Sequence, residues 1–338
     1  MHASDPTPLV SIVAPVFNEA LVIDEFYQRI RDAMAALPAY TWELVLVEDG
    51  SSDDSYARCS AIASQDSHVA VLKLSRNFGH QIAITAGVDH ARGDAVVIID
   101  SDLQDPPEVI KSFLAKWREG YDVVYGRREK RAGETRLKAW TAAGFYRLLR
   151  FFTRIDIPVD VGDFRLMSAR AADHLRRLRE SDRFVRGLVS WIGFRQTAVA
   201  YARDRRFAGE TKYPYRRMIH FALDGITSFS SVPLKFASWL GYLASLLAFL
   251  YLASVFIQKA LGYTVPGFAT IMVAILFLGG VQLISLGIIG EYIGRIHNEI
   301  KARPLYIVEE IRSAEGIQEG SAPRPSPNQR RETTAGAR

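Results

Sequence analysis

Blocks of apolar residues alternate with polar, turn-forming stretches through the first third of the chain. Leu9–Glu19 (LVSIVAPVFNE) opens with an unbroken apolar run ended by Pro15, the pattern of a strand buried on both faces. Ala20–Ala36 places Leu21, Ile23, Phe26, Tyr27, Ile30 and Met34 at helical spacing. Trp42–Asp54 is a second strand that runs into a Gly/Ser/Asp turn. Val69–Ser75, Ala95–Asp100 and Asp122–Gly126 follow as further strands, separated by helical stretches near Ser55–Ser64, Gln81–Ala91 and Pro107–Glu119. Strands alternating with helices predict an α/β fold, a mostly parallel sheet covered on both faces. Arg136–Arg154 reads as one more helix, with Leu137, Trp140, Phe145, Leu148 and Leu149 apolar.

The last third has a different pattern. Phe236–Gln258 carries no charge over 23 positions, and Ala260–Gly290 none over 31. The turn-like Gly262–Gly267 leaves Phe268–Gly290 as a second span. A helix of 23 residues is roughly 34 Å long, enough to cross a hydrocarbon core of about 30 Å. Lys and Arg crowd the outer flanks of the pair (Arg203, Arg205, Arg206, Lys212, Arg216 and Arg217 before; Arg295, Lys301 and Arg303 after), whereas the loop between has only Lys259. That bias predicts a multi-pass membrane protein with both termini cytoplasmic and a short hairpin loop outside. Met1–Pro8, polar and short, predicts no signal peptide. Tyr213–Phe229 reads as an amphipathic helix lying on the membrane. Gly290 and Gly294 form a small-residue pair suited to close helix packing and a homo-oligomer. The tail from Ser313 is expected to be disordered. The predicted division is therefore a cytoplasmic α/β domain over 1–212, an interfacial helix over 213–231, a membrane hairpin over 232–294 and a cytoplasmic tail over 295–338.

Charge sharpens this picture. Residues 1–110 hold 6 Lys/Arg against 17 Asp/Glu, whereas residues 111–217 hold 26 against 12, so an acidic third precedes a basic middle. Such asymmetry fits a half that holds a cation and a half that holds anions. The single cysteine, Cys59, excludes an internal disulfide and any CxxC motif. No GxGxxG follows the first strand, which disfavours a dehydrogenase. Nothing points to nucleic acid.

Ligands of parallel sheets bind beyond the carboxyl ends of the strands. Asn18-Glu19, Glu48-Asp49 and Asp100-Ser101-Asp102 all fall there, so three strands deliver acidic groups to one edge. In DSDLQDPPE (Asp100–Glu108), Asp102 and Gln104 supply hard oxygen ligands suited to Mg2+ or Mn2+ bound together with substrate phosphates. Asp105-Pro106-Pro107 reads as the capped start of a helix. Arg76 and His80 follow the third strand and could face a nucleotide, although a lone His is more often structural.

PVFNE, VEDGSSDD, LSRNFGHQIAITAGVDHARGD and DSDLQDPPE, followed by GDFRLMS (Gly162–Ser168), FAGETKYPYRRM (Phe207–Met218) and the two apolar spans, resemble the inverting GT-A glycosyltransferases of family 2. The resemblance covers about residues 9–310 and is nearest to the polyprenyl-phosphate branch, the bactoprenol glucosyltransferases and dolichol-phosphate mannose synthases. It implies a Rossmann-like GT-A domain in which Pro15, Asn18, Glu19 and Asp49 line the nucleotide of a UDP-sugar. Asp100 would sit near the ribose or the metal, and Asp102 and Gln104 would hold the divalent ion on the diphosphate. It places Asp163 near the transferring sugar, with Arg127, Arg165, Arg206 and Lys212 near the phosphates or the lipid head group. Ser101 and Thr211 stand where the family often has Ala and Ser.

The implied reaction moves a hexose, glucose by resemblance, from UDP-sugar to undecaprenyl phosphate, with inversion and within reach of membrane lipids. The acceptor phosphate carries about −1.5 to −2 charges near neutral pH, by analogy with other phosphate monoesters. Asp163 is therefore expected to orient the acceptor or the sugar, or to remove a last proton, without being an indispensable base. Two alternatives stay open: a non-catalytic nucleotide-binding membrane accessory protein, and a transferase that uses another donor such as GDP-mannose. A processive polysaccharide synthase would normally carry a Gln-x-x-Arg-Trp motif and further spans, and neither is present.

Overall fold

In the computed structural model of the chain, residues 7–128, 161–203, 232–262 and 267–319 are described. They fall into two compact units. The first begins with β1 (Leu9–Val16), α1 (Ile23–Ala35), β2 (Thr41–Glu48), α2 (Ser55–Gln65), β3 (Val69–Leu74) and α3 (His80–His90). It continues through β4 (Ala95–Ile98), a 3-10 turn at Pro107–Val109, α4 (Ile110–Arg118) and β5 (Val123–Arg128). Beyond 160 come β6 (Val161–Ser168), α5 (Ala169–Arg177), α6 (Val185–Ile192) and β7 (Gln196–Tyr201). The second unit holds α7 (Val232–Ala260) and α8 (Phe268–Ile300). The chain then returns to the first unit as β8 (Val308–Ser313) and β9 (Gly316–Glu319).

The nine strands among the described residues form one sheet in the order β7-β5-β6-β4-β1-β2-β3-β8-β9. β4, β1, β2 and β3 run parallel, as their apolar runs predict, and β6, antiparallel to both neighbours, is inserted between β4 and β5. Alternation decides which residues meet which helices. Val10, Ile12, Ala14 and Val16 of β1 join Phe26 and Ile30 of α1, Cys59 of α2 and Phe113 of α4 in the main core. Val13 and Val47 face the other way, toward α3. There the backbone of α3 approaches so closely that a Cβ on Gly87 would fall inside the Val13 side chain. Phe164 on β6 is wholly buried, 4.6 Å from Phe113 between ring centres and edge-on to Tyr201 at 5.6 Å. Truncating a residue so placed costs about 3–5 kcal/mol.

The tail departs from expectation. Instead of becoming disordered from Ser313, residues Val308–Glu319 form a hairpin, with β8 antiparallel to β3. The physical cause is the outer edge of β3, whose unpaired backbone groups need a partner. Tyr306 fastens the approach to this hairpin by donating to Asp89, 2.8 Å away, and Arg179 pairs with the same carboxylate at 2.6 Å. Asp89 is 3% exposed, so the carboxylate that receives both is buried.

In the second unit, Leu234–Gln258 and Ile271–Ile300 are each long and apolar enough to cross a membrane, and almost none of their residues is buried by protein. A core helix of a soluble domain would be covered; these present Trp239, Phe249, Leu276 and Leu283 outward. The second helix runs ten residues past the predicted end at Gly290, to Ile300, and its last turns carry the Glu291–Arg295 pair at 3.1 Å. The expected helices over 136–154 and 213–229 lie outside the described residues, as does the tail beyond 319.

Candidate active site

Register aligns the site. Val13 of β1 lies beside Ile98 of β4, and Ile98 beside Arg165 of β6. Two residues further along, the same register sets Pro15, Asp100 and Asp163 in a row at the carboxyl edge of the parallel strands. Asp163 is the centre of the contacts there. Arg186, from the first turn of α6, grips it with two donors, Nε at 2.8 Å from Oδ1 and Nη2 at 3.0 Å from Oδ2. Gln81 Nε2 donates to Oδ2 at 3.2 Å, and His80 Nε2 lies 3.3 Å from that oxygen. His80 also stands 3.5 Å from Asp100 Oδ1, bridging the two carboxylates. Burial by itself would raise the Asp163 pKa, but the His80 hydrogen bond, Arg186 and Arg165 outweigh it and hold this carboxyl well below the usual range. Burial pushes Asp100 up to about 6, against the pull of His80.

The loop after β4 sorts its side chains by alternation. Ser101, Leu103 and Asp105 turn inward, while Asp102 and Gln104 stay on the solvent side. Leu103 takes φ +58°, a left-handed conformation that this buried leucine holds within the loop. Ser101 ties the loop to β1 by donating to the Pro15 carbonyl at 2.8 Å. Asp105, fully buried, accepts from the Tyr201 hydroxyl, with Arg128 at 3.6 Å and Arg203 at 3.8 Å. Burial works against the Arg128 charge, but Asp105 outweighs it and raises the pKa. Burial and the neighbouring Arg128 lower that of Arg203.

Hydrogen bonds of several other expected site residues hold the loops of this edge in place. Asn18, at φ +56°, accepts from Ser52 N at 2.8 Å and so joins the loops after β1 and β2. Glu19 is half-buried and its amide donates to Ser55 Oγ at 2.8 Å. Asp49, 2% exposed, accepts from the amides of Phe78 and Gly79 at 2.7 and 2.9 Å, which sets the loop leading into α3. That loop packs so tightly on Gly50 (φ +69°) that a Cβ there would lie 2.5 Å from the Asn77 nitrogen. Arg165, 3% exposed, donates to the main-chain oxygens of Gly162 and Asp163 at 2.9 and 3.2 Å, and burial lowers its pKa to about 10. Arg127 is exposed, and strand alternation turns its neighbour Arg128 toward Asp105. Arg206 and Lys212 lie outside the described residues.

Four contributors were not predicted. Arg186, Arg128 and Tyr201 belong to no motif quoted above and Gln81 sits unremarked within one, and only the strand order and helix packing bring all four to the rim. Asp105, expected as a helix cap, instead anchors the acidic loop from beneath. His80, given a structural reading, sits between two of the predicted carboxylates.

Among the described residues, no three His, Cys, Asp or Glu side chains converge to hold a metal unaided. That is compatible with an ion of the Mg2+ class, which commonly takes one or two carboxylates and completes its shell with substrate phosphates and water. Asp100 Oδ1 is a buried carboxylate oxygen without a hydrogen-bond partner among the described residues, two positions before the outward Asp102. The donor set therefore fits a hard divalent cation.

Comparison with known proteins agrees with this geometry. Residues 11–176 match the profile described as Glycosyl transferase family 2, and residues 232–296 match the GtrB C-terminal hairpin. The chain is 54% identical over 300 residues to the uncharacterized glycosyltransferase YkcC of Bacillus subtilis, covering 88% of this chain and 93% of that one. It is 43% identical over 301 residues to the bactoprenol glucosyl transferase of Shigella phage SfII (89% and 97% covered). To the prophage bactoprenol glucosyl transferase homolog of Escherichia coli it is 41% identical over 304 residues (90% and 99% covered). With the acidic rim, the mostly parallel sheet and this likeness along nearly the whole chain, the protein belongs to glycosyltransferase family 2.

Proposed function

We propose that the protein is an inverting glucosyltransferase that moves glucose from UDP-glucose to a polyprenyl phosphate, undecaprenyl phosphate in a bacterial inner membrane. The observation that carries this reading is the Pro15–Asp100–Asp163 rim in a chain that also holds two lipid-compatible helices. Likeness to the bactoprenol glucosyl transferases supports the sugar and the acceptor.

Asp102 and Gln104, with Asp100, would hold Mg2+ or Mn2+, whose chemistry is to offset charge on the departing diphosphate. Asn18, Glu19 and Asp49 shape the nucleotide side by fixing the loops after β1, β2 and β3. Arg128 and Arg203 hold positive charge beside the acidic loop. The acceptor phosphate arrives as an anion already able to attack, so little proton removal is required. Asp163 agrees with this: its two oxygens are engaged by Arg186, Gln81 and His80. It acts as an anchor for these donors and not as a proton acceptor. Arg165 braces the end of β6 from within. Arg127, Arg206 and Lys212 supply cations for the lipid phosphate, and Lys212→Ala raises the KM for that substrate far more than for UDP-glucose. Both termini are cytoplasmic, and copies associate through the membrane helices.

The test is transfer of radiolabel from UDP-glucose into an organic-soluble product with undecaprenyl phosphate and Mn2+ or Mg2+. Label in that phase supports the proposal. No transfer from UDP-glucose, UDP-GlcNAc, UDP-galactose or GDP-mannose overturns it in favour of an accessory protein, and transfer from one of the others alone corrects the donor.

A further inference from the structure

Gln81 uses both ends of its amide. Its Nε2 donates to Asp163 Oδ2 at 3.2 Å, and its Oε1 accepts from the backbone N–H of Val185 at 2.9 Å. Val185 is the first residue of α6, and no side chain caps that helix from the preceding residue, Phe184. A helix start leaves amide donors without intrahelical partners. Gln81, from a different helix, satisfies one of them. The next residue in α6 is Arg186, whose guanidinium closes on the same Asp163 through two bonds. One half-buried side chain on α3 therefore ties β6 to the first turn of α6, at the residue that precedes the arginine. Arg186 is 34% exposed, so a cation of fixed position faces the rim and is not sealed in the core.

We propose that Gln81 is a positioning residue for sugar transfer: by joining the start of α6 to Asp163 it holds the Arg186 guanidinium at the transfer rim. Charge placed in advance stabilises a developing anion best when it need not move during the reaction. Without Gln81, Asp163 and Arg186 still attract each other, but α6 loses its external cap and the arginine its fixed origin. This inference rests on the reading of the Asp100–Asp163 rim as the transfer site.

The test uses the purified full chain in detergent with UDP-glucose and undecaprenyl phosphate. Gln81→Ala is expected to lower kcat by about 10- to 100-fold, the scale of a displacement near 1 Å at a reacting centre. The KM for UDP-glucose should change by less than about threefold, because binding and transfer are then affected separately. Gln81→Glu keeps an acceptor for Val185 but sets a second carboxylate against Asp163, and it should lose as much as Gln81→Ala. In an Arg186→Ala background Gln81→Ala should have little further effect, since coupled residues are not additive. Hydrogen exchange adds a readout independent of turnover: peptides covering Val185 and Arg186 should exchange faster in Gln81→Ala. If Gln81→Ala fails to fold, Gln81→Met, of similar length and without hydrogen bonds, takes its place. Equal losses in the wild-type and Arg186→Ala backgrounds, wild-type turnover of Gln81→Glu, or unchanged exchange would each overturn the inference. Impaired Asp163→Asn with normal Gln81→Ala sinks this inference alone. Full turnover of Asp163→Asn instead removes the reading of the rim on which it rests.

Discussion

Tyr201→Phe removes the hydroxyl that anchors the acidic loop. The change deletes one oxygen and leaves the ring in place, edge-on to Phe164 at 5.6 Å, so packing is preserved. The main loss is the bond donated to Asp105, a carboxylate with no exposed surface, and with it goes a longer one that the hydroxyl accepts from Arg128 Nε at 3.4 Å. Burial, and then Asp105 itself, raise the Tyr201 pKa, so the hydroxyl remains a donor throughout the working range of pH. Hydrogen bonds to charged groups are worth about 1.5–3 kcal/mol, and no water reaches Asp105 to replace this one. Arg128 at 3.6 Å and Arg203 at 3.8 Å keep part of the compensation for the buried charge. Their presence sets the expected cost near the middle of that range, about 2 kcal/mol. For a domain of this size that corresponds to a fall in Tm of about 4–8 °C. Thermal unfolding of the full chain in detergent measures it. Tyr40→Phe is the control, because among the described residues that hydroxyl accepts from exposed Arg118 alone, and its Tm should move by less than about 1 °C. The Mn2+ concentration needed for half-maximal transfer should also rise in Tyr201→Phe, since the loop bearing Asp102 and Gln104 loses its lower anchor. An unchanged Tm in Tyr201→Phe would show that Asp105 is satisfied by its arginines alone and would refute the reasoning.

Asp102→Ala and Gln104→Ala should each raise the Mn2+ requirement by tenfold or more, about 1.4 kcal/mol per factor of ten, and wild-type metal titrations would remove both residues from the ion's shell. Burial would raise the Asp66 pKa, but bonds from His68 and Tyr27 lower it below the ordinary value, so the stability it supplies is complete above a pH of about 3.9 and is lost as pH falls through the depressed folded value. Asp66→Asn should flatten the acid limb of a Tm–pH profile, and an unchanged slope contradicts the assignment. A stop codon after Ile307 uncovers the β3 edge and should give an aggregating protein of lower Tm, whereas a stop after Glu319 keeps the hairpin, and equal light scattering from the two would count against the role of β8.

Much of the rim was legible without coordinates because its residues are local in sequence. Asp100, Asp102 and Gln104 leave one buried strand together, and Asn18 and Asp49 leave two others, so strand pattern alone brought them to one edge. The spans were legible for a similar reason: an uncharged run of membrane length has few other uses. The hairpin of Val308–Glu319 was not, since VEEIRSAEGIQE is polar enough to read as a tail and becomes a strand only against the free edge of β3. Arg186 was also hidden, being one of 26 basic residues in the middle of the chain with no motif around it.

What the chain order determined by itself is the set of strands, the acidic loop and the two apolar helices, because each depends on contacts between near neighbours and on the burial of short apolar runs. Which carboxylate meets which cation was decided only by tertiary structure. β6 enters antiparallel beside β4, and that single pairing sets Asp163 opposite Asp100 and within reach of Gln81 and Arg186. The physical reason is range: an ion pair or hydrogen bond needs atoms about 3 Å apart, and for residues so distant in sequence that proximity is produced by the packing of the sheet and helices.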